Sequence, residues 1–222
     1  MARLVIIAFG DSLTVGYHSG HDGDSPEASP YTEVLREKAD KVLGRPGARP
    51  FDVEFLNRGT SGELTGEMVE RYPSTVIAVE PDAVIILGGS NDLGWGYDPE
   101  SVGENLSWMY DEALAHGIRP VACTVPSVLG FDEGIEPRRL LNKIISEASL
   151  ELGIPCVDLF SATCDSSQRL RAEFSDDGLH LTSAGYRAMG EAIFRDAVGP
   201  MIERRLGDVA FDQGTRTSAP EG

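Results

Sequence analysis

The chain has 222 residues, 41% hydrophobic and 25% charged, the proportions of a single globular domain with a sizeable core. Its 36 acidic and 19 basic residues give a formal net charge of -17, which argues against a nucleic-acid partner and against docking on anionic membranes. No apolar run approaches the length of a bilayer span, so no membrane insertion is expected. Residues 4–9 look like a short signal segment, but the run is too brief and no small-x-small cleavage site follows, so the cytoplasm is the expected location. Cys123, Cys156 and Cys164 are odd in number and show no CxxC spacing. Neither a disulfide framework nor a structural zinc site is expected.

Taken in chain order, apolar runs alternate with helical spacing. Residues 4–9 read as a strand, and 31–43 as a helix through Val34, Leu35 and Val42. Residues 51–56 form the second predicted strand. The segment 64–79 reads as a helix that Pro73 kinks or splits. The aliphatic run 83–87 is the third strand, and 101–116 an amphipathic helix. Residues 118–125 form the fourth strand. A helix over 136–152 carries Leu140, Leu141, Ile144, Ile145 and Ala148 at helical spacing. Residues 154–159 are the fifth strand, and 182–198 the last helix, with Thr182 or Ser183 as N-cap. This β-α alternation predicts an α/β fold: a three-layer α/β/α domain over 1–200 with a five-stranded parallel sheet. Residues 201–222 read as a polar tail that frays.

In such sheets ligands sit beyond the carboxyl ends of the strands. There the sequence reads Gly10-Asp11-Ser12, then NRGTSG over 57–62, GGSND over 88–92, Val125-Pro126-Ser127, and DDGLH over 176–180. Acyl transfer needs a nucleophile, a base, a group that orients the base, and donors for the oxyanion. Ser12 is the candidate nucleophile. Of the four histidines, His116 ends a helix and His18 and His21 lie in an acidic loop, whereas His180 sits at the rim three residues after Asp177. That spacing puts both side chains on one face of a turn, so that Asp177 can fix the imidazole tautomer. The candidate oxyanion donors are the Ser12 and Gly59 N–H groups and the Asn91 side-chain amide. Each cluster also has a plainer reading: a turn at 10–12, a surface pair at 177–180, a turn at 57–59 and a helix cap at 91–92.

Together the clusters resemble the SGNH hydrolases, the GDSL family of esterases and lipases. Gly10-Asp11-Ser12-Leu13, Asn57-x-Gly59-x-Ser61-Gly62, Gly89-x-Asn91-Asp92 and Asp177-x-x-His180 match the family's four blocks in order. The resemblance implies a flavodoxin-like sheet of order 2-1-3-4-5 and serine-dependent ester hydrolysis without a metal or other cofactor. It assigns Ser12 as nucleophile, His180 as base, Asp177 as orienter, and Ser12, Gly59 and Asn91 as oxyanion donors. GDSLTVGY over 10–17 looks closest to the lysophospholipase, thioesterase and arylesterase branch. The acidic stretch 18–30 is longer than that pattern suggests. Asp11, beside the serine, is read as holding the loop through backbone hydrogen bonds.

The expected partner is a small-molecule ester of short to medium acyl length. Tyr17, Leu93, Trp95, Tyr97, Leu129, Phe131 and Leu179 are the candidate pocket residues. Sugar acetates, lysophospholipids and thioesters are alternative substrates for the same site. A more distant alternative is a metal-dependent hydrolase using His18, His21, Asp22 and Asp24. A nucleotide-binding module on this fold would need a P-loop or a Gly-x-Gly-x-x-Gly turn, and the sequence has neither.

Overall fold

In the computed structural model, residues 2–17, 29–44 and 49–217 are described. Strand β1 (Ala2–Gly10) lies between β2 (Phe51–Gly59) and β3 (Ala83–Leu87), followed outward by β4 (Arg119–Cys123) and β5 (Cys156–Val157). All pairs are parallel, and the order is β2-β1-β3-β4-β5, as expected. The strand β5 is shorter than the sequence suggests. Pro155 has no N–H to offer a ladder, and Asp158 already caps helix α7 (Leu159–Thr163) by accepting from the Ser161 N–H at 3.0 Å.

The period of two along a strand divides the core. Leu4, Ile6 and Ala8 of β1 pack with Ile85, Leu87 and Val121 beneath helices α2 (Tyr31–Leu43) and α8 (Ser183–Ile193). Ile7 and Phe9 pack with Val84, Ile86 and Ala122 beneath α3 (Thr65–Thr75), α5 (Pro99–Ala115) and α6 (Ile135–Leu152). Pro73 sits in the last turn of α3, which ends at Thr75 and gives way to a 3₁₀ turn over Ile77–Val79. Among the described residues no helix is long and apolar enough to cross a membrane.

Helical structure through residue 217 corrects the expected fraying after residue 200, while 218–222 lie outside the described residues. Beyond α8 comes a π turn, Phe194–Val198, and then helix α9, Gly199–Thr217. Pro200 offers no N–H to the turn before it, and it comes just after the π turn, where the regular ladder is already interrupted. Met201 and Ile202 are buried, and Leu206 and Val209 pack against the same core. Their apolar contribution is masked in the sequence by Glu203, Arg204 and Arg205 between them.

The chain leaves β1 through a tight turn. A methyl group on Gly10 would lie 2.1 Å from the Leu87 carbonyl oxygen, so the approach of β1 to the end of β3 requires glycine. Helix α1 (Ser12–Val15) follows, capped by Asp11, whose Oδ1 accepts from the Leu13 N–H at 2.9 Å. Gly16, at φ +84°, ends it by returning its N–H to the Ser12 carbonyl. The Asp11 carboxyl is buried and its Oδ2 has no partner. Burial raises its pKa, the Leu13 N–H opposes this, and the charges of Asp92 and Glu63 raise it further, to about 7.

Two outcomes follow for stability. Gly10→Ala costs about 2 kcal/mol or more, read as a lowered urea midpoint. Because the folded-state pKa of Asp11 lies above its unfolded value, the stability this carboxyl contributes is full in acid and is lost as pH rises to about 7. Asp11→Asn keeps the capping oxygen and escapes that loss. Its Tm therefore gains on wild type by a few degrees between pH 4.5 and pH 8, and an equal difference at both pH values contradicts this.

Candidate active site

Ser12 opens α1 at the carboxyl end of β1, with its side chain nearly buried. Its Oγ lies 3.1 Å from His180 Nε2, across 168 residues of sequence. On the other side of the ring, His180 Nδ1 lies 2.7 Å from Asp177 Oδ2. The loop that carries this pair is wound on itself. Asp177 Oδ1 accepts the N–H groups of Leu179 at 2.9 Å and His180 at 2.8 Å. Ser175 Oγ donates to the His180 carbonyl at 2.7 Å and accepts from the Gly178 N–H at 2.9 Å. Gly178 adopts φ +85°, and its carbonyl accepts from the Leu129 N–H at 2.9 Å, which ties the loop to the segment after β4.

Burial would raise the pKa of Asp177, but hydrogen bonds from His180 and from the Leu179 and His180 N–H groups outweigh it and hold the carboxyl at about 2. Asp177 is therefore a carboxylate at neutral pH. It accepts the Nδ1 proton, which leaves Nε2 as acceptor for the Ser12 hydroxyl. Tyr17 packs edge-on against His180, with ring centroids 4.7 Å apart at 74°. The Tyr17 carbonyl in turn accepts from the Tyr186 hydroxyl.

The candidate oxyanion donors fare differently. Asn91 Nδ2 donates one proton to the Glu63 carbonyl at 2.9 Å, which orients the amide and leaves its second N–H. The Gly59 N–H is not free. It donates to Asn57 Oδ1 at 2.9 Å, while Asn57 Nδ2 donates to the Thr14 carbonyl at 2.7 Å. Gly59 serves close packing instead, since a methyl group there would lie 2.5 Å from the Val15 nitrogen. Three residues on, Gly62 adopts φ +79° with open space about its α-carbon. Among the described residues its N–H has no intramolecular acceptor. The plainer reading of 91–92 as a helix cap does not describe Asp92, which accepts the Thr65 N–H at 3.1 Å and the Thr65 hydroxyl at 2.7 Å, seating the start of α3.

The candidate pocket residues divide. Trp95 is 78% exposed, and Tyr97, Phe131 and Tyr17 are also exposed. Leu129 and Leu179 are half-buried, the former bonded to the histidine loop. Leu93 is buried in the core beneath α5 and α6, because α4 (Ser90–Gly94) turns it inward. Cys123 is buried, which pushes its thiol pKa far up and leaves it inert at neutral pH. His18, His21, Asp22 and Asp24 lie outside the described residues. Elsewhere in the described structure no three His, Cys, Asp or Glu side chains gather as a metal site.

The chain matches the model of the GDSL-like Lipase/Acylhydrolase family over residues 8–188. It is 25% identical to a lipoprotein of Bacillus subtilis, YqeF, described as uncharacterized, over 85% of this chain and 87% of that protein. It is 31% identical to an arylesterase of Vibrio mimicus over 47% of this chain and 46% of that one. Among solved structures, a lipase/acylhydrolase from Enterococcus faecalis superposes with a TM-score of 0.71 at 25% identity, covering 86% of this chain and 94% of the other. The match begins within β1, ahead of Ser12, and runs on past His180 into α8, so this protein belongs to the GDSL-like lipase/acylhydrolase family of carboxylic ester hydrolases.

Proposed function

We propose that the chain cleaves carboxylic esters through an acyl-Ser12 intermediate. The observation that carries this is the unbroken hydrogen-bonded line from Ser12 Oγ through His180 to Asp177. Ser12 Oγ attacks the ester carbonyl carbon as its proton passes to His180 Nε2. The imidazolium formed is stabilised by the Asp177 carboxylate and returns the proton to the departing alkoxide. Water, activated by the same imidazole, then attacks the acyl-serine and releases the acid. The tetrahedral oxyanion is received by the Ser12 N–H, the free N–H of Asn91 and, from the loop after β2, the N–H of Gly62 in place of Gly59.

The substrate reading is an ester of short to medium acyl length. It is supported by the exposed aromatics Trp95, Tyr97 and Phe131, which offer apolar surface. Phe131 lies against Gly178 and so beside the histidine loop.

Hydrolysis of p-nitrophenyl acetate, butyrate and octanoate tests both parts. Ser12→Ala lowers kcat by about 10⁴-fold or more with an unchanged circular dichroism spectrum. A Ser12→Ala protein as active as wild type overturns the mechanism. Turnover confined to octanoate, or to acetylated sugars, overturns the acyl range. Asp177→Asn costs about 10³- to 10⁴-fold, because the amide no longer holds the tautomer. Since Asp177 stays ionised down to about pH 2, its titration adds no proton to the acid limb of the rate profile between pH 4 and pH 6. A two-proton slope between pH 4 and pH 6 is inconsistent with this assignment.

A further inference from the structure

Arg71 on α3 makes no hydrogen bond to Ser12, His180 or Asp177 among the described residues, yet its guanidinium reaches the backbone on either side of the nucleophile turn. Nε and Nη2 grip the two carboxylate oxygens of Glu63, the latter at 2.6 Å. Nη2 also lies 3.0 Å from the Arg58 carbonyl and 3.3 Å from the Gly10 carbonyl. The guanidinium covers the Phe9 ring at 4.1 Å from its centroid.

Each acceptor belongs to a segment that carries an oxyanion donor. Gly10 is two residues before Ser12. Arg58 is at the end of β2, where the loop to Gly62 begins. Glu63 follows Gly62 directly, and its own carbonyl holds Asn91 Nδ2 at 2.9 Å. Only 6% of the Glu63 side chain is exposed, so this fork is shielded from water and stronger than a surface pair.

We propose that Arg71 is the positioning residue of the oxyanion hole, setting the spacing of these segments and aiming Asn91 through Glu63. The proposal rests on the serine-hydrolase reading above. A lysine carries the same charge but a single ammonium, which cannot span a carboxylate and two carbonyls at once. The effect is therefore on the transition state, where the donors must meet a developing charge, and not on ester binding.

The test is a double-mutant cycle on p-nitrophenyl butyrate with wild type, Arg71→Lys, Asn91→Ala and the double variant, alongside Ser12→Ala. Arg71→Lys is expected to lower kcat about 10- to 100-fold with KM within about twofold. Asn91→Ala is expected to cost about 10²- to 10³-fold. The double variant should fall well short of the product of the two losses, because both act at one amide. Independent losses that multiply overturn the proposal, as does a lowered Tm with unchanged kcat. If Arg71→Lys does not fold, Glu63→Gln, which keeps the carbonyl that holds Asn91, takes its place in the cycle with the same two outcomes. A fully active Ser12→Ala instead overturns the underlying mechanism, so the two failures are told apart.

Discussion

One rung of the sheet fixes where everything else can stand. Gly10 of β1 pairs with Gly59 of β2 on one side and with Leu87 of β3 on the other. Three parallel strands thus end at one level, and the segments leaving them start side by side. The rung tolerates no side chain at Gly10, whose α-carbon faces the Leu87 carbonyl, nor at Gly59, which faces the backbone of α1 at Val15. Shifting any strand by one residue would bury the wrong face as well as separate the three exits. The site is therefore specified by the same pairing that builds the core.

Around that rung, polar groups do the joining. Asn57 bridges the end of β2 to α1 by donating to the Thr14 carbonyl and accepting from its own loop. Asp92 and Asn91 interlock with 63–65 in opposite directions: one accepts from the Thr65 N–H, the other donates to the Glu63 carbonyl. Each of these contacts is short and largely withdrawn from water, so breaking one leaves an unsatisfied group. Base and orienter are built differently. They lie three residues apart in a loop that satisfies its own backbone through Ser175 and Asp177, and that loop touches the sheet's other loops through Leu129.

Sequence reading succeeded where a residue type has few competing uses. The runs 4–9 of β1 and 83–87 of β3 are continuous and apolar, each followed directly by glycine, and His180 stands three residues after an acid beyond the last strand. It failed where a group's partner is decided by three-dimensional placement. The sequence reading puts the donor of this loop at Gly59, and only the position of the Asn57 side chain shows that its N–H is engaged. Leu93 sits among exposed aromatics in the chain but turns into the core on α4. Arg71 reads as an ordinary charged residue on a helix surface, because its four acceptors come from segments spread over 10–63.

The π turn at Phe194–Val198 has a consequence for the phase of the last helix. From Ile193, ordinary helical spacing would bring Asp196, Pro200, Glu203 and Gly207 onto the core face. Ala197 and Met201, at i+4 and i+8, share that face, but the buried or packed set also holds Val198, Ile202, Leu206 and Val209, which that spacing would turn away. The π turn, closed by the Gly199 N–H on the Phe194 carbonyl, takes up one extra residue and so rotates all that follows by about 100°. Deleting a single residue within 194–198 would restore the regular winding and turn an acid and a proline toward the sheet. The chain's end is thus held in frame by a local irregularity, and the amphipathic stripe of α9 is in register with the core only because the helix before it is not regular.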